Sequence, residues 1–230
     1  MSAHKNPILC YVTDRGSLPA GGSLDPEDAL LEKIGELAKA GVDWIQIREK
    51  DLLGRRLASL ARRALRRVAE NASHMESTVW VLVNERLDVA VAEHLGGVHL
   101  GERSLSAREA KRFLQECSQE MKPLKDFLVG VSCHSLTEAE SAAESGADYL
   151  FFGPVFSTPS KAAFGEPQGL DRLAVVCHAV SIPVLAIGGI TEGNVRECLD
   201  AGASGIAAIR MFQDAREPVK LAKLLHSLHC

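Results

Sequence analysis

At several points along this chain a short apolar run breaks into groups that can hold charge, a metal or a proton. After WIQI come Arg48, Glu49 and Lys50. In an extended strand alternate residues share a face, so Gln46, Arg48 and Lys50 make a donor-rich wall suited to an anion. Two cations are costly to bury without such a partner. The plainer alternative is that they pair with Glu49 or Asp51 and only stabilise the fold. TVWVLVN ends in Asn84 and Glu85, and GVHLG runs into Glu102, Arg103 and Ser104. Oxygens from two adjacent strand ends could hold Mg2+, which keeps several waters and borrows phosphate oxygens. Glu85 reads equally as an acid at a helix N-terminus, favoured there by the macrodipole.

FLVGVSC delivers Ser132 and His134, and a histidine in such a place can serve as a general acid or base near neutral pH. Ser135 beside it is a natural helix cap. Beyond YLFFGPV, the hydroxyls of Thr158 and Ser160 and the amine of Lys161 can close over a phosphate and exclude water; a solvated loop is the alternative. PVLAI ends in Gly188 and Gly189, and GIAA in Ile209 and Arg210, where glycine permits close backbone approach to a phosphate. Two anion subsites emerge: one between the last two runs, and one where Arg48, Lys50 and Lys161 converge. That pair points to a reaction between two phosphorylated groups.

These residues need elements to position them. The apolar runs span 8–14, 44–50, 78–84, 97–101, 127–133, 149–155, 183–189 and 205–210. Amphipathic helical patterns span 25–41, 53–72, 86–96, 106–117, 135–146, 169–180, 191–202 and 217–229. Asp25 before Pro26, Ser106 and Thr191 are expected helix caps, and Gly41, Gly96, Gly146 and Gly202 expected stops. Eight βα units in 230 residues predict an α/β fold, a single (β/α)8 TIM barrel over 1–230. A doubly wound sheet would more naturally show GxGxxG after the first strand. Here the loop after Asp14 carries only Gly16 and the pair Gly21 and Gly22. In such a barrel the active site lies at the carboxyl ends of the strands, where the groups above collect.

Composition excludes other classes. A hydrophobic share of 46% and a charged share of 24% are globular values, which removes disorder and fibrous folds. A net charge of −4 argues against a nucleic-acid partner. No apolar run reaches membrane-spanning length and the N-terminal stretch lacks a signal-peptide core, so no membrane partner and a cytoplasmic location are expected. The six cysteines make no CxxC pair, so reduced and mostly buried thiols are expected. The tail His226, His229 and Cys230 reads as a frayed helix end.

Taken in order, YVTD, QIREK, VNERLDVA, GVHLG, GVSCHS, ADYLFFGPVFSTPSK, IPVLAIGGI and AGASGIAAI give the chain a collinear match. Along nearly its whole length it resembles the thiamine phosphate synthase/TenI family. The resemblance implies that a hydroxymethylpyrimidine diphosphate loses Mg2+-bound pyrophosphate and that a thiazole phosphate nitrogen traps the resulting cation. By position, Gln46, Arg48, Lys50 and Asn84 look like pyrimidine diphosphate contacts. Ser132 and Lys161 look like leaving-group contacts, and Thr158 and Ser160 match the loop hydroxyls. Gly188, Gly189 and Ile209 match the thiazole phosphate cradle. A homodimer is expected by resemblance alone.

The chain departs from the family's pattern at three points. Glu85 stands where an aspartate is usual, Ser104 stands where the family has a second metal aspartate in a GQxD-like loop, and Arg210 replaces a small serine. Glu85, Glu102 and Ser104 are therefore the expected Mg2+ set, weakened by the lost aspartates. TenI-like thiazole tautomerases tolerate that loss and use the histidine after strand five, here His134. A barrel that binds thiazole or thiamine phosphate without turnover is the third reading.

Overall fold

A computed structural model describes residues 6–18, 25–72, 78–120, 126–158 and 166–228. Within it the eight apolar runs become parallel strands β1 (Ile8–Val12), β2 (Trp44–Ile47), β3 (Trp80–Asn84), β4 (Gly97–Leu100), β5 (Leu128–Cys133), β6 (Tyr149–Phe152), β7 (Val184–Ile187) and β8 (Gly205–Ala208). Each pairs with the next, and β8 pairs back onto β1 through Leu9 beside Ile206 and Tyr11 beside Ala208. The barrel is closed. No strand edge is left open, and both strand faces are apolar because one meets helices and the other meets the barrel interior.

Alternation along the strands decides which residue goes where. Leu9 and Tyr11 face outward into a large layer shared with the helices, whereas Ile8, Cys10 and Val12 join Trp44, Leu82, Tyr149, Phe151, Leu185 and Ala207 inside. Each fully buried leucine or isoleucine contributes roughly 1.5–3 kcal/mol. Around the barrel run α1 (Pro26–Ala40), α2 (Gly54–Ala72), α3 (Leu87–Ala92), α4 (Ala107–Glu120), α5 (Leu136–Glu144), α6 (Gly169–Ala179), α7 (Val195–Asp200), a short α8 (Arg210–Gln213) and α9 (Pro218–His226). None of these is long and apolar enough to cross a membrane.

Several expected signals act as read. Asp25 caps α1 by accepting from the Glu27 amide at 2.9 Å, and Gly41 closes it at φ 95°. Ser106 and Glu109 form a reciprocal capping box at α4. Others differ. Thr191 caps no helix, because the Asn194 side chain accepts from the Thr191 amide and donates to the Gly189 carbonyl, holding 191–194 as a turn before α7. At the end of α3 the left-handed residue is His94, at φ 52°, not Gly96. Gly96 instead makes room for Trp80, whose ring carbon Cε3 would lie 2.5 Å from an added Cβ. The tail is not frayed as far as it is described: His226 Nε2 lies 3.0 Å from Asp43 Oδ2, which also accepts from the Leu9 amide and ties α9 to the barrel base. His229 and Cys230 lie outside the described residues.

All five described cysteines are free. Burial pushes the Cys133, Cys177 and Cys198 thiols up to about 12, so they are packing groups and not nucleophiles.

A very tight interior fit is at Gly130, where an added Cβ would lie 2.0 Å from Cζ of the fully buried Tyr149. Gly130→Ala should therefore cost about 1–3 kcal/mol by overpacking. Urea denaturation with an unchanged slope reads this as a lower midpoint, and an unchanged midpoint would show that the Tyr149 ring can yield.

Candidate active site

The floor of the mouth is a set of inward side chains at the upper ends of the strands. Gln46 is buried on β2, and its Nε2 donates to Asn84 Oδ1 on β3 at 3.0 Å. Gln46 Oε1 is fully buried and has no hydrogen-bond partner, the one such side-chain atom among the described residues. On β5, Ser132 Oγ lies 2.8 Å from Nε2 of His99, a buried residue of β4. His99 Nδ1 lies 3.1 Å from the Tyr149 hydroxyl. Phe151 stacks on His99 with ring centroids 4.1 Å apart, and Trp44 packs on Tyr149 at 4.7 Å. His99 and Tyr149 escape sequence reading because both lie inside apolar runs, where the pattern says only that they are buried.

The predicted wall of Gln46, Arg48 and Lys50 on one strand face is not what forms. β2 leaves the ladder after Ile47, because Thr13 Oγ1 accepts from the Arg48 amide at 2.9 Å and donates to Glu49 Oε1 at 2.6 Å. Glu49 thus turns inward and is buried. Arg15 closes over it at 2.7 Å and grips Asp51 with both guanidinium nitrogens. Its guanidinium holds the Asp51 carboxyl below the usual carboxylate range. The alternative in which Arg48 and Lys50 pair with Glu49 or Asp51 is therefore overturned. Arg15 occupies both acids, and the half-buried Arg48 and exposed Lys50 have no ion-pair partner among the described residues.

Across the mouth, Glu85 sits in the left-handed region at φ 61°, its amide donating to the His99 carbonyl at 2.8 Å. It does not serve as the first-turn acid of α3, where Asp88 stands. Its carboxylate reaches across to β4. A Cβ on Gly101 would lie 2.5 Å from Glu85 Oε1 and 3.8 Å from Ser104 Oγ, so glycine leaves the opening between them. Ser104 Oγ accepts from the Gly101 amide at 3.0 Å. Glu102 is exposed on the same loop. No group of three or more His, Cys, Asp or Glu residues able to hold a metal occurs among the described residues, so this place offers one carboxylate and one hydroxyl.

On the opposite rim, the His134 amide donates to Glu138 Oε2 at 2.6 Å, and its Nδ1–H donates to the Gly153 carbonyl. A carbonyl only accepts, so Nδ1 carries the proton, and the tautomer with this bond has its lone pair on Nε2. Gly188 and Gly189 have φ of 93° and 68°, and added Cβ atoms would strike Pro154 at 2.5 Å and Phe156 at 2.7 Å. Only glycine lets the β7 loop lie against the β6 loop so closely. Thr158 is half-buried, while Ser160 and Lys161 lie outside the described residues.

β8 ends at Ala208; Ile209 already stands as the N-cap of α8, which Arg210 opens instead of extending the strand, and Arg210 is exposed. It lines a cavity of about 750 Å3 between the β7 loop, α8 and α9. The chemistry collected above lies in the mouth itself, so that cavity's size does not make it the reaction site. Gln213, missed in the sequence, is buried at the end of α8. It accepts from the Tyr11 hydroxyl and the Asp14 amide, both at 3.1 Å, and donates to Asp14 and Ser17, which pins the β1 loop to the β8 loop.

Comparison with known proteins places these residues in context. The family model for thiamine monophosphate synthase (TMP-TENI) matches residues 9–212. The chain is 36% identical over 220 residues to a thiamine-phosphate synthase of Haloarcula marismortui, covering 94% of each. It is 35% identical over 212 residues to one of Chlorobium phaeobacteroides, covering 92% of this chain and 91% of that one. Among solved structures, a thiamine phosphate pyrophosphorylase from Pyrococcus furiosus superposes with a TM-score of 0.76 at 30% identity, over 97% of this chain and 96% of that one.

The Arg15 clamp carries a stability prediction. Glu49 has a side chain only 2% exposed, so Arg15→Met strands a buried carboxylate and should cost about 3–5 kcal/mol in chemical denaturation. Adding Glu49→Gln should restore most of that loss. A single variant as stable as the parent would show that the Thr13 hydroxyl and the residue-15 amide, which also donates to Glu49, satisfy it without the guanidinium.

Proposed function

We infer what this barrel does from the family to which the chain belongs, the thiamine monophosphate synthases (TMP-TENI). It is a transferase of thiamine biosynthesis, joining hydroxymethylpyrimidine diphosphate to thiazole phosphate to give thiamine phosphate and pyrophosphate. At residue level one observation carries the reading: Gln46 Oε1 is a buried acceptor with no protein donor. An orphaned buried acceptor calls for a ligand donor, and the amino group of a pyrimidine supplies one. Asn84, held by Gln46 Nε2, sits beside it to orient the ring.

The diphosphate then extends toward Arg48 and Lys50, which Arg15 leaves unpaired by occupying Glu49 and Asp51. Ser132 and Thr158 lie on β5 and the β6 loop opposite, and by resemblance Ser160 and Lys161, outside the described residues, serve the same diphosphate. When the carbon–oxygen bond breaks, its electron pair departs with pyrophosphate, and cations fixed beforehand stabilise that charge. The thiazole nitrogen lone pair then forms the new carbon–nitrogen bond. Gly188, Gly189 and Ile209 hold the thiazole phosphate with close backbone, and Arg210 adds a cation at its edge. No side-chain nucleophile is required.

Glu85 and Ser104 fit a Mg2+ ion sparingly, as one carboxylate and one hydroxyl facing across Gly101, with Glu102 within the same loop. Its remaining positions suit waters and diphosphate oxygens, and when bound it neutralises charge on the leaving group. A second reading, thiazole phosphate tautomerisation, is favoured by His134, whose tautomer leaves Nε2 able to take a proton.

Supplied with both substrates and Mg2+, the protein should release pyrophosphate. Arg48→Met should lower kcat/KM by roughly 10²-fold, in line with the loss of one transition-state charge contact. Ser104→Asp should reduce the Mg2+ concentration needed for half-maximal rate. Coupled pyrophosphate detection reads all three. If no pyrophosphate appears at saturating substrates and metal, while His134→Ala abolishes isomerisation of the thiazole carboxylate phosphate, the tautomerase reading replaces the synthase.

A further inference from the structure

The polar chain inside the barrel has a direction. Tyr149 is fully buried, and its hydroxyl has one hydrogen-bond partner among the described residues, His99 Nδ1 at 3.1 Å. Burial drives the phenol well above its ordinary range, so the hydroxyl keeps its proton. Among the described residues that proton has one acceptor within reach, and leaving a buried O–H undonated costs more than leaving a lone pair unused. Tyr149 therefore donates to Nδ1. A neutral imidazole that accepts at Nδ1 carries its proton on Nε2. Nε2 lies 2.8 Å from Ser132 Oγ, so His99 donates to that oxygen. The hydrogen of Ser132 is then released toward the mouth.

The opposite tautomer would reverse the outcome. Ser132 would donate downward to His99 and present only lone pairs to a bound anion. We propose that His99 and Tyr149 are positioning residues that fix Ser132 as a hydrogen-bond donor to the departing pyrophosphate. The inference rests on the synthase reading for the identity of the anion, but not for the direction of the chain.

The surroundings support a set geometry. Gly130 gives up its side chain to the Tyr149 ring, and Phe151 and Trp44 pack on the His99 and Tyr149 rings respectively. With the rings held in place, the polarity of Ser132 depends on which nitrogen of His99 bears the proton.

The test uses the whole protein labelled with 15N-histidine. Nitrogen chemical shifts identify the protonated nitrogen, and the His99 signal is the one that moves in Tyr149→Phe. The expected result is a protonated Nε2 and a bare Nδ1; a protonated Nδ1, alone or with Nε2, would overturn the proposal. A second arm titrates pyrophosphate with Mg2+ by calorimetry. Tyr149→Phe and Ser132→Ala should each weaken binding about tenfold, a typical loss for one hydrogen bond to a charged group. The double variant should bind no more weakly than either single one, since both remove the same donor. Additive losses would show that Tyr149 acts by another route. If the parent protein binds no pyrophosphate, the synthase reading fails instead, and the tautomer measurement still decides the direction of the chain.

Discussion

The ring formed when β8 pairs with β1 encloses a space that side chains must fill, and the filling is uneven along its axis. Low in the barrel the filling is apolar, with Ile8, Trp44, Leu82 and Leu185. Above it lies a layer whose rings carry polar edges, Tyr149 and His99, wedged between Trp44 and Phe151. Each polar atom there must find a partner within the ring, because no water reaches it. The partners run upward from Tyr149 to His99 to Ser132, and at Gln46 the supply of partners ends. The mouth begins where the protein can no longer satisfy its own groups.

Charge is arranged around this floor by the same need. Glu49 is almost fully buried and needs neutralising, and Arg15 comes from the β1 loop to do so, gripping Asp51 as well. The cations adjacent in sequence, Arg48 and Lys50, are left for something else. The β1 loop that carries Arg15 is itself tied to α8 by Gln213, so the Arg15–Glu49 clamp on one side and the β8 end on the other share one support. A change at Gln213 would loosen the β1 loop from α8.

Legibility followed the physics of each signal. Strand and helix order could be read because alternating apolar runs and amphipathic segments have few solutions at this length, and closure follows from eight units. The positions of Asn84, Ser132, Gly188 and Gly189 at strand ends were legible for the same reason. The end of β2 was not. Alternation placed Arg48 and Lys50 on the face of Gln46, but a hydroxyl 35 residues away, Thr13, captures the Arg48 amide and stops the ladder. Long-range capture leaves no local mark. His99 and Tyr149 were hidden because a polar group inside an apolar run looks like the run. Arg210 was misplaced by two residues of strand, since Ile209 reads as β-forming while its backbone already begins α8.

Glu85 shows how one local choice reaches the chemistry. A non-glycine residue at φ 61° costs about 1–3 kcal/mol, and it persists here because its amide is bonded to the His99 carbonyl and the next amide to the Asn84 carbonyl. The return on that strain is direction: the carboxylate is aimed at the gap left by Gly101 and meets a hydroxyl there, not a second acid. Two carboxylates would draw Mg2+ to an empty mouth. On the proposed reading, an ion held by one carboxylate and the neutral Ser104 would keep most of its positive charge uncompensated, and diphosphate oxygens would supply the rest. Metal and substrate affinity would then be linked, each raising the other's affinity by the same factor. On that reading Ser104 would change when the ion binds more than what it does once bound.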